Sequence, residues 1–276
     1  GVIMYLRFGW VVGHVGLAGT LLIVTMATAI TFFTGLSIAS IATDQKVKTG
    51  GAYYMISRSL GIESGGAIGI SLYFAQALSV ALYTVGFAES IVQVFPQFDE
   101  KLLGIITTII VAAIALGSAK AAIKAQYVIM VGIVISLVCL VFGSAVEPTD
   151  AVTAVKPIAD SPGFWVVFAV FFPAVTGIMA GVNMSGDLKD PKSAIPKGTF
   201  LAIGVGYLIY MALPIILSNR ASVEMLISDP LIMRKMSLWG DSILIGVWGA
   251  TLSSAIGSML GAPRVLQALA KDNILP

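Results

Sequence analysis

Apolar residues run along this chain in eight long blocks, broken by short polar stretches rich in glycine and proline. The blocks cover 1–15, 17–43, 65–95, 102–118, 126–145, 164–184, 199–218 and 242–262. Most approach the roughly 20 residues a helix needs to cross a bilayer, and they are too continuous for barrel strands. In lipid only helices and closed barrels satisfy every backbone polar group, so the pattern predicts an all-α polytopic membrane protein. Within the sixth block the pattern predicts a break. Pro173 cannot donate a backbone hydrogen bond, and Gly177, Gly181 and Gly186 follow it. Irregular backbone at membrane depth is tolerated only where protein or a wet cavity surrounds it, so this break is the first candidate site.

Between the blocks, Gly50 and Gly51 predict a turn into a short interfacial helix, with Lys46, Lys48 and Arg58 placed to anchor it at lipid headgroups. Residues 147–163 carry three prolines and read as an ordered connection; residues 220–238 read as an amphipathic helix. One group of loops holds Lys46, Lys48, Arg58, Lys120, Lys124, Lys189, Lys192, Lys197, Arg264 and Lys271, and the other holds Lys101, Lys156, Arg220, Arg234 and Lys235. The richer group is expected on the cytoplasmic side. Gly1-Val-Ile-Met4 echoes Gly177-Ile-Met179 five blocks later and in opposite orientation, as in an inverted repeat of five plus five helices.

Composition agrees: 58% of residues are hydrophobic and only 11% charged, where a soluble domain carries about 25%. The net charge of +2 comes from scattered residues without a basic patch, which excludes nucleic acid as a partner. One cysteine, Cys139, excludes an intrachain disulfide. No cleavable signal peptide is visible in this sequence. The chain opens in mid-pattern with Gly1 and reads as a single transmembrane domain, 1–276, truncated at both ends.

The chemistry at the break follows from helix polarity. The first half of the sixth helix ends near Pro173–Thr176, where unpaired carbonyls and the Thr176 hydroxyl suit a cation. The second half restarts at Gly177, and the amides of Gly177, Ile178 and Met179 suit an anion; Gly1, Val2 and Ile3 can do the same on the first helix. No lysine or arginine lies close by in sequence, and Asp187 sits about 15 Å further along. The site therefore offers two opposite partial charges, fitting a cation and anion together or the two ends of a zwitterion. Tyr83 is either a packing tyrosine or a ligand. Ser253 and Ser254 either bond back to their own helix or donate oxygens to a small cation such as Na⁺. Arg7 and Glu89 are costly alone inside apolar helices and are expected to pair. His14 reads as interfacial. No metal cluster, phosphate loop or hydrolytic triad stands out, so neither an enzyme nor an ATP-driven pump is supported, and no transition metal or cofactor is expected.

Several stretches resemble the cation-chloride cotransporters. Residues 171–198, with Phe-Phe-Pro-Ala-Val-Thr-Gly-Ile-Met-Ala-Gly-Val-Asn-Met-Ser-Gly-Asp-Leu-Lys-Asp-Pro, are similar to that family's sixth helix, and residues 1–13 to its first. Residues 49–61 are similar to its first cytoplasmic loop, Gly86-Phe-Ala-Glu89 to its third helix, and residues 261–276 to the segment after its eighth. The resemblance implies a LeuT-like fold, shared with the amino acid–polyamine–organocation transporters, and electroneutral symport of Cl⁻ with K⁺, Na⁺ or both. It implies K⁺ at Tyr83, Pro173 and Thr176. It implies one Cl⁻ on the amides of Gly1, Val2 and Ile3, and a second on those of Gly177, Ile178 and Met179. Ala250, Ser253 and Ser254 fall at the Na⁺ site, the serine pair leaning toward the Na⁺-coupled branch. Arg7 and Glu89 match a pair at the external gate. The family's residues preceding the Gly-Val motif, its helices 9 to 12 with a tenth-helix tyrosine, and its cytoplasmic regulatory domain fall outside this sequence, and the loop before the eighth helix is short. The expected setting is multi-pass in the plasma membrane, with lipid and inorganic ions as partners and a homodimer open. Two other classes remain: an amino acid permease of the same superfamily, and a non-transporting scaffold or regulatory subunit. The bulk of Gly1-Val-Ile-Met-Tyr-Leu-Arg7 differs from the glycine-rich first helix of many such permeases.

Overall fold

A computed structural model describes residues 1–44, 50–117, 119–146, 162–183, 188 and 190–275. The described residues are predominantly helical, with no strand among them. A π-helical turn, Ile3–Arg7, leads into α1 (Phe8–Asp44). The remaining helices are α2 (Gly51–Leu60), α3 (Ile62–Val92), α4 (Glu100–Gly117), α5 (Ala119–Val141), α6 (Phe164–Phe171), α7 (Ile178–Asn183), α8 (Pro191–Ser218), α9 (Val223–Ser228), α10 (Ile232–Met236) and α11 (Gly240–Lys271).

All eight predicted segments are present. Among the described residues six helices are long and apolar enough to cross a membrane, and the first of them contains two segments. The helix trace of α1 breaks at Gly16, with φ 68 and ψ −178, so the first and second spans meet there without a loop. Glycine takes that conformation without the steric penalty of a Cβ. The sixth segment is α6, a 3₁₀ turn over Phe172–Val175, and then α7.

Boundaries shift in places. The seventh span starts at Pro191 rather than 199, because proline is accommodated in a first helical turn. The stretch 220–238 is two short helices, α9 and α10, rather than one; Asp229 separates them in an extended conformation. Lys46, Lys48, Lys156, Gly186, Asp187 and Lys189, and most of the 147–163 connection, lie outside the described residues.

Packing divides the apolar residues into two populations. Large side chains on α3, α4 and α5, such as Leu78, Ile105, Ile109 and Val128, are exposed, as expected of surfaces facing lipid. The main core lies where the first, second, sixth, seventh and eighth spans meet, around Tyr5, Phe8, Phe171, Leu217 and Val247. Phe8 and Phe171 lie 5.2 Å apart, and Tyr210 meets each ring edge-on, joining the first, sixth and seventh spans. Such aromatic contacts add about 0.5–1.5 kcal/mol each beyond buried area. α9 and α10 close one end of the bundle: Gly9 and Gly13 pack directly on Leu226 and Ile227. α2 closes the other end.

Candidate ion-binding site

The sixth helix fails because two successive residues leave the helical region. Thr176 is extended (φ −83, ψ 177) and Gly177 has φ 103, after which α7 begins at Ile178. The last carbonyls of the first half are not bare, contrary to expectation. Pro173 carbonyl accepts from the Thr176 hydroxyl at 2.9 Å, Ala174 carbonyl from Tyr210 at 3.0 Å, and Val175 carbonyl from Thr31 at 3.2 Å. Each carbonyl oxygen has two lone pairs, so one hydroxyl orients it and leaves capacity for a cation. Thr31 and Tyr210 come from the second and seventh spans, too far along the chain for sequence pattern to link them to the break.

A cavity of about 340 Å³ opens beside the break. Gly1, Val2, Ile3, Tyr83, Pro173, Thr176, Gly177, Ser253 and Ser254 all line it, together with Gln76, Ser79, Gln126 and Ser258. Of the two echoing stretches, Gly1, Val2 and Ile3 all line this cavity, but of Gly177-Ile-Met179 only Gly177 does. Among the described residues, no Lys, Arg, Asp or Glu side chain lines it. Gly1 sits directly against Ala250: a Cβ on Gly1 would lie 2.8 Å from the Ala250 Cβ, so only glycine allows this approach.

Other expected residues are placed around the cavity. Ala250 is buried behind it and its carbonyl accepts from the Ser254 hydroxyl at 2.8 Å. Ser254 thus bonds back to its own helix, and its oxygen keeps lone pairs after donating its proton. The Tyr83 hydroxyl has no hydrogen-bond partner among the described residues while its ring packs on the core. Ile178 lines a second cavity of about 270 Å³ on the opposite side of the break, with Thr28, Thr31 and Tyr210. Met179 packs against the small cluster around Ala52, Met55 and Val182.

The first span is locked in place by two contacts of its π-helical turn. The Tyr5 hydroxyl bonds to that of Ser136 at 2.6 Å, fully buried. Arg7 forms an ion pair with Glu89 at 2.7 Å, between the cavity and the α9–α10 end. His14 bonds the Trp10 carbonyl at 2.8 Å, with its ring tilted 43° to the indole and 4.2 Å from it.

At the other end α2 ties the sixth span to the eighth. Ala52 and Met55 pack on Val182 of α7. Tyr53 donates to Asp272 at 2.6 Å and Arg58 donates to the other carboxylate oxygen at 2.8 Å. Arg58 is thus held by an acid beyond α11 and by the Tyr54 ring, 5.3 Å below it, rather than by headgroups alone. The Tyr53 hydrogen bond, then Arg58, hold the Asp272 carboxyl below its ordinary range against the opposing effect of burial. Burial first, then the bond to Asp272, push the Tyr53 phenol up to about 12.

Eight membrane segments packed around an uncharged polar cavity at a broken helix define a multi-pass membrane transporter of the LeuT-like fold. The chain belongs to the amino acid permease family, whose model matches residues 1–276. It is 36% identical over 340 residues to human solute carrier family 12 member 2, and 35% identical over 341 residues to the mouse protein of that name. It is also 35% identical over 335 residues to mouse solute carrier family 12 member 1. All of this chain aligns with the first two and 99% with the third, yet it spans 28%, 28% and 31% of their lengths. These matches support the cation-chloride cotransporter resemblance carried by the motifs, and place the chain among transporters rather than enzymes.

Proposed function

We propose that this chain carries the ion sites of an electroneutral symporter that moves Cl⁻ with K⁺, Na⁺ or both by alternating access. The observation that carries the reading is the cavity at the break. Oriented carbonyls, hydroxyls and helix-start backbone share one space with no charged side chain among the described residues. A charged residue there would favour one ion and repel the other; opposed partial charges accept a neutral ion pair. In this reading Tyr83, Pro173 and Thr176 hold K⁺, and Ala250, Ser253 and Ser254 hold Na⁺. The amides of Gly1, Val2 and Ile3 hold one Cl⁻, and those of Gly177, Ile178 and Met179 a second. Arg7 and Glu89 gate the external side, with α2 cytoplasmic, in the plasma membrane.

The test is uptake by the full-length protein in proteoliposomes, with K⁺, Na⁺ and Cl⁻ omitted in turn. Symport requires that cation uptake depend on Cl⁻ and generate no current. Uptake indifferent to Cl⁻ overturns it. The family match keeps amino acid transport as a second reading, since a zwitterion also fits opposed helix ends; competition by amino acids for uptake distinguishes it. A scaffold role predicts that Thr176→Ala leaves ion binding unchanged.

A further inference from the structure

We propose that the carboxamides of Gln76 and Asn183 form a second polar station, between the cavity at the break and the α2 end, through which both the cation and the anion pass. The proposal rests on the symport reading above. Asn183 is the last described residue of α7 and is wholly buried. Neither its oxygen nor its nitrogen has a hydrogen-bond partner among the described residues. Proteins almost always pair such groups, so a buried carboxamide with both ends open implies a ligand or water that comes and goes.

Gln76 is the link to the cavity. It lies on α3, is 8% exposed, and lines the cavity wall. The two carboxamides converge where α11 has no side chain. A Cβ on Gly261 would lie 3.6 Å from Gln76 Oε1 and 3.7 Å from Asn183 Nδ2. On its other side Asn183 is shut off by α2: a Cβ on Gly51 would lie 2.6 Å from Asn183 Oδ1. The station therefore sits under the cavity and above the α2 closure.

The residue type suits the task. A carboxylate would hold the cation and repel chloride, and an ammonium would do the reverse. A carboxamide presents its oxygen to a cation or its NH₂ to an anion by turning about one bond. Two of them facing one gap can serve both ions of a pair in succession without holding either tightly.

Gly261→Ala tests this directly, because its methyl enters the gap at ordinary contact distance without colliding with either side chain. Gln76→Met is the companion variant: it keeps the length and removes both polar atoms. The full-length protein is reconstituted and uptake of K⁺ and Cl⁻ measured, with monodispersity and thermal unfolding confirming the fold. In Gly261→Ala, maximal uptake of both ions should fall together by about tenfold, while half-saturating concentrations change less than about twofold, since the cavity is untouched. In Gln76→Met, both ions should again fall together. A Cl⁻-dependent wild type whose Gly261→Ala variant transports at full rate overturns the station and leaves a trapped water only. Loss confined to one ion also overturns it. A wild type indifferent to Cl⁻ removes the symport reading itself and the station with it. If Gln76→Met does not fold, Gly261→Ala alone decides.

Discussion

The Tyr210 hydroxyl donates to the Ala174 carbonyl at 3.0 Å, so a residue of the seventh span holds the last turn of the broken sixth. Aligned hydroxyls make that turn an oriented set of oxygens instead of a frayed helix end. Tyr210→Phe keeps the ring packing on Phe8 and Phe171 and removes only the donor. The expected loss is about 1 kcal/mol of stability in thermal unfolding, and about fivefold weaker apparent K⁺ affinity if the same energy is felt by the bound ion.

Gly177 and Gly181 make a matched pair. A Cβ on either meets nothing within 4 Å, but only Gly177 has positive φ, at 103. Gly177→Ala should cost about 1–3 kcal/mol of backbone strain or straighten the break, with uptake lost. Gly181→Ala lies inside α7 and should be neutral or stabilise by up to about 1 kcal/mol. Equal effects of the two in unfolding and uptake assays would contradict the assignment of the break to Gly177.

The eight spans were legible because lipid demands long apolar runs, and the break was legible because Pro173 and Gly177 interrupt one. Orientation at the break was not. Thr31 and Tyr210 approach it from 144 and 36 residues away, as ordinary polar positions on apolar helices. Asn183 likewise reads in sequence as one polar residue near a helix end. Only packing against Gly51 and Gly261 reveals that it is buried. Arg58 reads as a headgroup anchor because its acid lies beyond α11, 214 residues on.

Ser253 and Ser254 test the cation set. The Ser254 hydroxyl already bonds the Ala250 carbonyl at 2.8 Å, so it presents oxygen outward. Changing both serines to Ala should remove Na⁺ dependence of uptake, while stability changes by less than about 1 kcal/mol, because the helix ladder keeps the carbonyl paired. Unchanged Na⁺ dependence would refute the Na⁺ assignment.

The Tyr53–Asp272–Arg58 latch has a definite pH window. The carboxyl of Asp272 is depressed in the fold, so its contribution is complete above the unfolded value of about 4 and is lost as pH falls through the lower folded value. Tyr53 is raised, so its contribution is complete below the unfolded value of about 10 and is lost as pH rises through about 12. Between about pH 5 and 9 the latch is constant, and Tyr53→Phe should cost about 1–3 kcal/mol there, measured by thermal unfolding across that range. Any steep pH dependence of uptake near neutrality must arise from other groups.

The bend at Gly16 sets where the first span can move. With no intervening residues, its two legs share a pivot of fixed length, and that end cannot slide. At about 1.5 Å of rise per residue, the leg from Val15 back to Ile3 is roughly 20 Å long. A tilt of about 10° about Gly16 therefore sweeps the cavity-lining end through roughly 3.5 Å. A small angular change at a point remote from the cavity is magnified, as at the tip of a lever, where Gly1, Val2 and Ile3 meet the break.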